Sequence, residues 1–191
     1  MVKDIDQELP KGQSVLIQTL DDEDRDIELE IKQPTFQELL HVYTLKEQEK
    51  LTFHWQKKDL IELGIEEVFG LYEHQELKAI SGGRWVNDDY MLVQMERLDR
   101  NDKEVMIYKA FPIIAAFLST RCLNNQEDGW FIIESKSNET LIDYYLQETN
   151  GIDAGAAPYK ESVRLIVVNP RRQEELTQRI IKGQRRTHHH E

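Results

Sequence analysis

The sequence predicts an α+β fold: an N-terminal β-hairpin packed on a mainly helical body, with a C-terminal strand and amphipathic helix. Three observations carry this expectation. Two short strand-like runs, "SVLIQTL" and "DIELEIK", stand close together near the start of the chain. The middle of the chain repeats apolar residues at helical spacing, and "VRLIVV" then precedes a basic segment with one apolar face.

The first element is a hairpin over residues 14–32. Ile27, Leu29 and Ile31 alternate with charged residues, the period of a strand with one wet face, and the acidic "DDEDR" supplies the turn. Pro34 then pushes Gln33 toward extended geometry, and Thr35 with Glu38 three residues on forms a capping box. The helix that begins at Phe36 carries Phe36, Leu39, Leu40 and Tyr43 on one face, which needs cover. A second helix is expected over 57–72, with Leu60, Ile61, Ile65, Val68, Phe69 and Tyr72 apolar, ending at a turn in "SGGRW". Asn87 or Asp88 caps a third, with Met91, Met95 and Leu98 down one side. The most apolar helix runs from Asp102 to about Arg121; Pro112 is expected to kink or divide it. Ile113, Ile114, Phe117 and Leu118 should form the middle of the core.

After the turn "NNQEDG", "WFIIES" reads as a short strand, and Ser137 caps a helix to about Thr149 with Leu141, Ile142, Tyr145 and Leu146 inward. "NGIDAGAAP" reads as a linker, "VRLIVV" as a buried strand and 171–182 as a final amphipathic helix. The expected organisation is an arm at 1–13, a mainly helical domain at 14–150, linker and strand at 151–169, and a basic tail at 170–191.

Composition excludes several classes. The formal net charge of −12 over 191 residues repels nucleic acid and anionic membrane. No apolar run approaches the roughly 20 residues of a membrane span, and the first residues, "MVKDIDQELPKG", lack the apolar centre of a signal peptide. A cytoplasmic location is the expectation. The single Cys122 builds neither an intrachain disulfide nor a cysteine-rich zinc cage. His41, His54 and His74 are too far apart in sequence for a tight metal-ligand spacing, and "HHHE" reads as a tag-like terminus. The acidic turn lacks the glycine and closing glutamate of a calcium loop, and "ISGGRW" lacks the spacing and lysine of a phosphate loop. No catalytic residue, cofactor or metal is implied by these motifs.

What remains is an acidic body with amphipathic elements and a basic tail, a pattern that points to protein partners and possible homo-oligomers. The residues expected to bind a partner are Arg171, Arg172, Leu176, Arg179, Ile180, Lys182, Arg185 and Arg186. The competing class is an enzyme with dispersed residues, for which Glu38, His41 and Arg84 are the candidates.

The passage from hairpin through "KQPTFQELL" into a helix, then a helical body and the turn "CLNNQEDGWF", resembles small tail assembly proteins of tailed bacteriophages. Tail assembly chaperones and small baseplate assembly proteins are the nearest types, and the resemblance spans residues 27–134, with Asp128, Gly129 and Phe131 in its late turn. It implies a non-enzymatic binder of tail proteins in the host cytoplasm, or a permanent component of the virion.

Overall fold

The structure, a computed structural model, describes residues 14–20, 25–48, 51–98, 109–125 and 129–186, with side chains to residue 180. The strands are β1 (Ser14–Leu20), β2 (Asp26–Lys32), β3 (Glu67–Glu73), β4 (Glu76–Val86), β5 (Asp89–Arg97), β6 (Phe131–Lys136), β7 (Ile152–Ala157) and β8 (Lys160–Val168). The helices are α1 (Phe36–Glu47), α2 (Lys57–Glu62), α3 (Ala110–Asn125), α4 (Glu139–Thr149) and α5 (Pro170–Arg186). All the strands join one sheet in the order β1-β2-β3-β4-β5-β6-β8-β7. Each neighbouring pair is antiparallel except β5 and β6, which run parallel.

This sheet overturns the mainly helical body. The hairpin is present, with β1 and β2 in register from Ser14↔Lys32 to Leu20↔Asp26, but it is the edge of an eight-stranded sheet. The expected helix over 57–72 stops at Glu62, where Gly64 adopts φ +65° and releases the chain, and "EVFGLYE" continues as β3. Its aromatic and branched side chains suit a pleated surface better than a helix. His74 and Gln75, both at positive φ, close the β3–β4 hairpin.

"SGGRW" is strand, not turn, and its glycines answer a close approach. Opposite Gly82 and Gly83, β5 bulges: Gln94 and Leu92 take the pairing positions and Val93 is passed over. A Cβ on Gly83 would collide with the Met91 carbonyl oxygen and lie 2.8 Å from the Tyr90 ring. The expected third helix is accordingly β5, and Asn87, at φ +57°, makes the turn into it instead of a cap. "NGIDAGAAP" is not a linker either: it contains β7, paired with β8.

The two faces of the sheet have separate apolar clusters, because alternate side chains along a strand point oppositely. Phe69 and Ala79 pack with α3, whereas the adjacent Val68 and Ile80 pack with Val42, Leu51 and Trp55 around α1 and α2. Of the apolar stripe expected on α1, Phe36 and Leu40 are exposed; the buried residue is Val42. The capping box is as the sequence predicts: Thr35 Oγ1 accepts from the Glu38 amide at 3.3 Å, and the Glu38 carboxylate accepts from the Thr35 amide at 2.6 Å.

Helix α3 is the centre of the larger cluster, with Ile113, Ile114, Phe117 and Leu118 all buried. Pro112 is its third residue, where the missing N–H falls among donors that have no intrahelical partner, so α3 runs on undivided to Asn125. Residues 102–108, expected as its first part, lie outside the described residues. Arg121 ties α3 to β3: its guanidinium donates to both oxygens of Glu67, at 2.7 and 3.0 Å, beneath the rings of Phe69, Trp85 and Tyr90. At the other end of the chain, Leu176 of α5 is buried in the same cluster, and the Gln173 amide nitrogen donates to the carbonyls of Gly129 and Val168. Among the described residues, no helix is long and apolar enough to cross a membrane.

Candidate functional site

The feature that organises the site is a loss of pairing in the middle of the sheet. β5 and β6 are in register at only three positions, Tyr90↔Phe131, Met91↔Ile132 and Leu92↔Ile133. The bulge at Val93 then turns β5 away, and the two parallel strands diverge over Val93–Arg97 and Glu134–Lys136. A wedge of ≈ 370 Å³ opens between them, with apolar walls from Leu92, Met95, Ile133, Leu141 and Tyr145. The strand edge of β5 that faces the wedge has backbone groups free of ladder partners, a surface that accepts an extended chain bearing amides.

One wall of the wedge is the loop between α1 and α2, and a buried carboxylate holds it. Glu96 of β5, 1% exposed, accepts from the backbone amides of Thr52 and Phe53, the latter at 3.0 Å, and from Trp55 Nε1 at 3.4 Å. Gln94 adds a bond from its amide nitrogen to the His54 carbonyl, and Lys46 Nζ donates to the carbonyls of Leu51 and Thr52. With its oxygens taken by two backbone amides and the Trp55 indole, Glu96 positions the wall and is not available to a ligand.

Tyr145 forms the opposite wall. It projects from α4, whose start is fixed by the Asn138 side chain accepting from the Leu141 amide at 3.1 Å, and it packs against Phe111 with ring centroids 4.6 Å apart. Burial pushes its phenol up from the ordinary value, so it remains protonated at neutral pH. Its hydroxyl makes no hydrogen bond among the described residues.

Glu134 of β6 completes the site. Its Oε1 accepts from Arg84 Nη2 at 2.8 Å and from Tyr159 Oη at 2.7 Å, while Arg84 Nη1 donates to the Leu63 carbonyl at 2.8 Å. Burial of the hydroxyl, then the adjacent carboxylate, pushes the Tyr159 phenol up to about 12, so it too stays a donor. The cluster links the end of α2, β4, β6 and the β7–β8 turn around one mouth. A larger cleft of ≈ 800 Å³ lies where β2 overhangs the β3–β4 turn, lined by Asp26, Glu28, Glu73 and His74. Its rim is acidic and open. No group of at least three metal-ligating side chains occurs among the described residues.

Of the residues expected from sequence to act in an enzyme, only Arg84 reaches the wedge, through Glu134. Glu38 is occupied in the α1 cap and His41 is exposed on α1. Of those expected to bind a partner, Leu176 is buried within the chain, Ile180 packs partly against the core, and Arg179 donates to the Glu148 carbonyl. Arg171 is exposed and pairs with Glu175 at 3.3 Å, and Arg172 is half-buried. Lys182, Arg185 and Arg186 belong to α5, but their side chains lie outside the described residues. Tyr145, Glu134 and Glu96 were not legible as a site. Tyr145 has the spacing of a core residue, and the other two sit in short strands that give no motif.

No protein-family model matches the sequence, and no curated protein matches it. The fold, however, is that of solved acetyltransferases. RimJ of Mycobacterium smegmatis, solved in complex with CoA-disulfide, superposes with a TM-score of 0.59 at 9% identity, over 91% of this chain and 95% of that one. The GNAT domain of S. lividans PAT gives 0.56 at 8% identity over 81% and 96%, respectively. The ribosomal-protein-S18-alanine N-acetyltransferase from Escherichia coli gives 0.52 at 13% identity over 74% and 93%. At these identities the likeness is one of fold.

That likeness corrects the functional expectation. The chain has the GNAT fold, and the solved structures reported above are acetyltransferases, not phage tail or baseplate proteins. The features that prompted that comparison, a capped helix after a hairpin and a late turn, belong here to a different architecture. The expectation of a non-enzymatic phage assembly protein is corrected accordingly: the solved structures whose fold this chain shares are N-acetyltransferases.

Proposed function

We propose that the protein is an acyltransferase that moves an acyl group from a coenzyme A thioester to an amine. The observation that carries the reading is the parting of β5 from β6 after three residue pairs, which leaves a wedge with an open strand edge and a buried phenol on its wall. The thioester supplies an activated carbonyl on a long arm with two amide groups. An arm of that shape suits a narrow apolar wedge, and its amides match the free backbone groups of β5. At the start of α3, Pro112 removes one backbone donor from the first turn that would face the carrier's phosphate end. Phosphates there would be held by side chains more than by a glycine-rich backbone cradle.

The chain's own groups have separable roles in this reading. The neutral amine attacks the thioester carbonyl, the carbon–sulfur bond breaks, the nitrogen releases one proton to water, and the departing thiolate takes one from a donor that water then reprotonates. Tyr145 is the proton donor, because burial keeps the phenol neutral and its hydroxyl is not committed to another residue. Backbone amides released by the bulge around Val93 stabilise the negative charge that develops on the carbonyl oxygen. The Glu96-bound loop and Leu63 cover the acceptor side and limit water, which would otherwise hydrolyse the thioester.

The test is thiol release from acetyl coenzyme A with a panel of amines, for the full chain and for Tyr145→Phe. The variant should lose about 10²- to 10⁴-fold in kcat, the range expected for a general acid, while coenzyme A binding is retained. Absence of coenzyme A binding by the unaltered chain would overturn the reading.

A further inference from the structure

The acceptor side of the wedge has an unusual charge balance for this chain. The protein as a whole carries −12, yet the ionisable residues lining the wedge are Glu134, Lys136 and Lys160 in addition to Tyr145, and Arg84 stands directly behind Glu134. Neither Lys136 nor Lys160 makes an ion pair among the described residues. Lys136 Nζ instead lies 5.2 Å from the centre of the Phe53 ring, on the loop that walls the acceptor side. Glu134 is half satisfied: both of its donors sit on Oε1, and Oε2 accepts no hydrogen bond among the described residues. Its side chain is 12% exposed, and the two donors on Oε1 hold the carboxylate so that the direction of the open oxygen is fixed.

We infer that the acceptor is an amine that also carries an anionic group, with its ammonium on Glu134 Oε2 and its anion between Lys136 and Lys160. This rests on the acyl-transfer reading of the wedge and adds the chemical class of the second substrate. Lys136 ends β6 two residues beyond Glu134, on the same face, because side chains alternate along a strand. Lys160 begins β8, the strand paired with β6, and follows Tyr159 directly. One open carboxylate oxygen and two ammonium groups on the lining of one wedge suit a zwitterion. A polycation would meet one carboxylate and three positive side chains. Arg84 and Tyr159 act as positioning residues: each fixes Glu134 Oε1 and thereby aims Oε2.

The experiment is calorimetric titration of the full chain, without thioester, by two pairs of probes and one control. The pairs are Asp-Ala-amide with Asn-Ala-amide, and O-phosphoethanolamine with ethanolamine, each differing in one anionic group; spermidine is the control. At least one acidic member should bind about tenfold more tightly than its neutral partner, the scale expected of two partly screened charge pairs. The pair with the larger difference identifies the anion as carboxylate or phosphate. Lys136→Gln with Lys160→Gln should erase the preference while the neutral probes bind as before, and Glu134→Gln should weaken every amine. Tyr159→Phe should raise KM for the acidic amine several-fold with little change in kcat and no change in thermal midpoint, a split that a general structural defect would not give.

Equal binding of acidic and neutral probes, tightest binding of spermidine, a preference that survives loss of both lysines, or no probe binding at all would overturn the inference. Coenzyme A is titrated in parallel. An acidic-amine preference without coenzyme A binding would refute acyl transfer alone, and coenzyme A binding without the preference would refute this inference alone.

Discussion

Replacing Glu96 by Gln removes one negative charge from the most heavily bonded carboxylate beside the wedge, and its cost can be worked from the donors. Glu96 Oε1 receives the Thr52 amide, and Oε2 receives the Phe53 amide at 3.0 Å and the Trp55 indole at 3.4 Å. A glutamine has one acceptor oxygen. Placed at the Oε2 position it keeps two donors and turns its own NH2 toward the Thr52 amide; the reverse placement abandons two. The cheaper arrangement therefore loses one charge-assisted bond and weakens two more. At about 1.5–3 kcal/mol for a hydrogen bond to a charged group, the expected loss is about 2–3 kcal/mol. Glu96→Ala orphans all three donors and should cost about 4 kcal/mol or more by the same reckoning. Urea denaturation gives the loss as a fall in midpoint at constant m, and hydrogen exchange at Thr52 and Phe53 should accelerate with it. The acceptor KM should rise as the wall loosens. A loss below about 1 kcal/mol, with both amides still protected, would refute the assignment of Glu96 as the anchor of this loop.

Three further outcomes follow from the packing. Thr35→Ala should cost about 0.5–2 kcal/mol by opening the α1 capping box, measured by denaturant midpoint. Phe117→Ala should cost about 3–5 kcal/mol, because the ring is 2% exposed and meets Phe69 edge-on at 5.2 Å, leaving a cavity when removed. Cys122 is fully buried, and burial pushes its thiol up to about 12, so iodoacetamide should label it only on unfolding. Since the folded value lies above the unfolded one, this thiol's contribution to stability is complete below about pH 8.5 and declines as pH rises above it. Denaturation midpoints measured from pH 7 to 10 in the native chain and Cys122→Ala check the sign: the native chain should show the extra decline.

The sequence was most readable where the signal is local. Alternation in "DIELEIK", the Thr35–Glu38 box and the long apolar run around Ile113 each report an interaction within a few residues, and each names its element correctly. β3, β4 and β5 were misread as helix and turn because their patterns are set at long range. Gly82 and Gly83 look like breakers until the bulged backbone of β5 is placed against them, and Met91 and Met95 keep helical spacing by chance across that bulge. The same limit hid the site. A wedge is an absence of pairing between two strands separated by α3, and no residue type marks where pairing stops. Glu134 is an ordinary strand residue until Arg84, 50 positions earlier, and Tyr159, 25 positions later, meet on one of its oxygens. Of these three, the sequence marks Arg84 alone, without its partners.

The most direct measurement of the central claim is peptide-resolved hydrogen exchange of the full chain with and without coenzyme A. If the wedge between β5 and β6 holds the carrier arm, protection should rise in residues 93–97, whose edge loses its ladder partner beyond Leu92, and in the α4 segment bearing Tyr145. The β1–β2 hairpin, at the far edge of the sheet and three strands or more from β5, should be unchanged. Protection that falls outside the wedge, or no change at any coenzyme A concentration that saturates binding, would contradict the account.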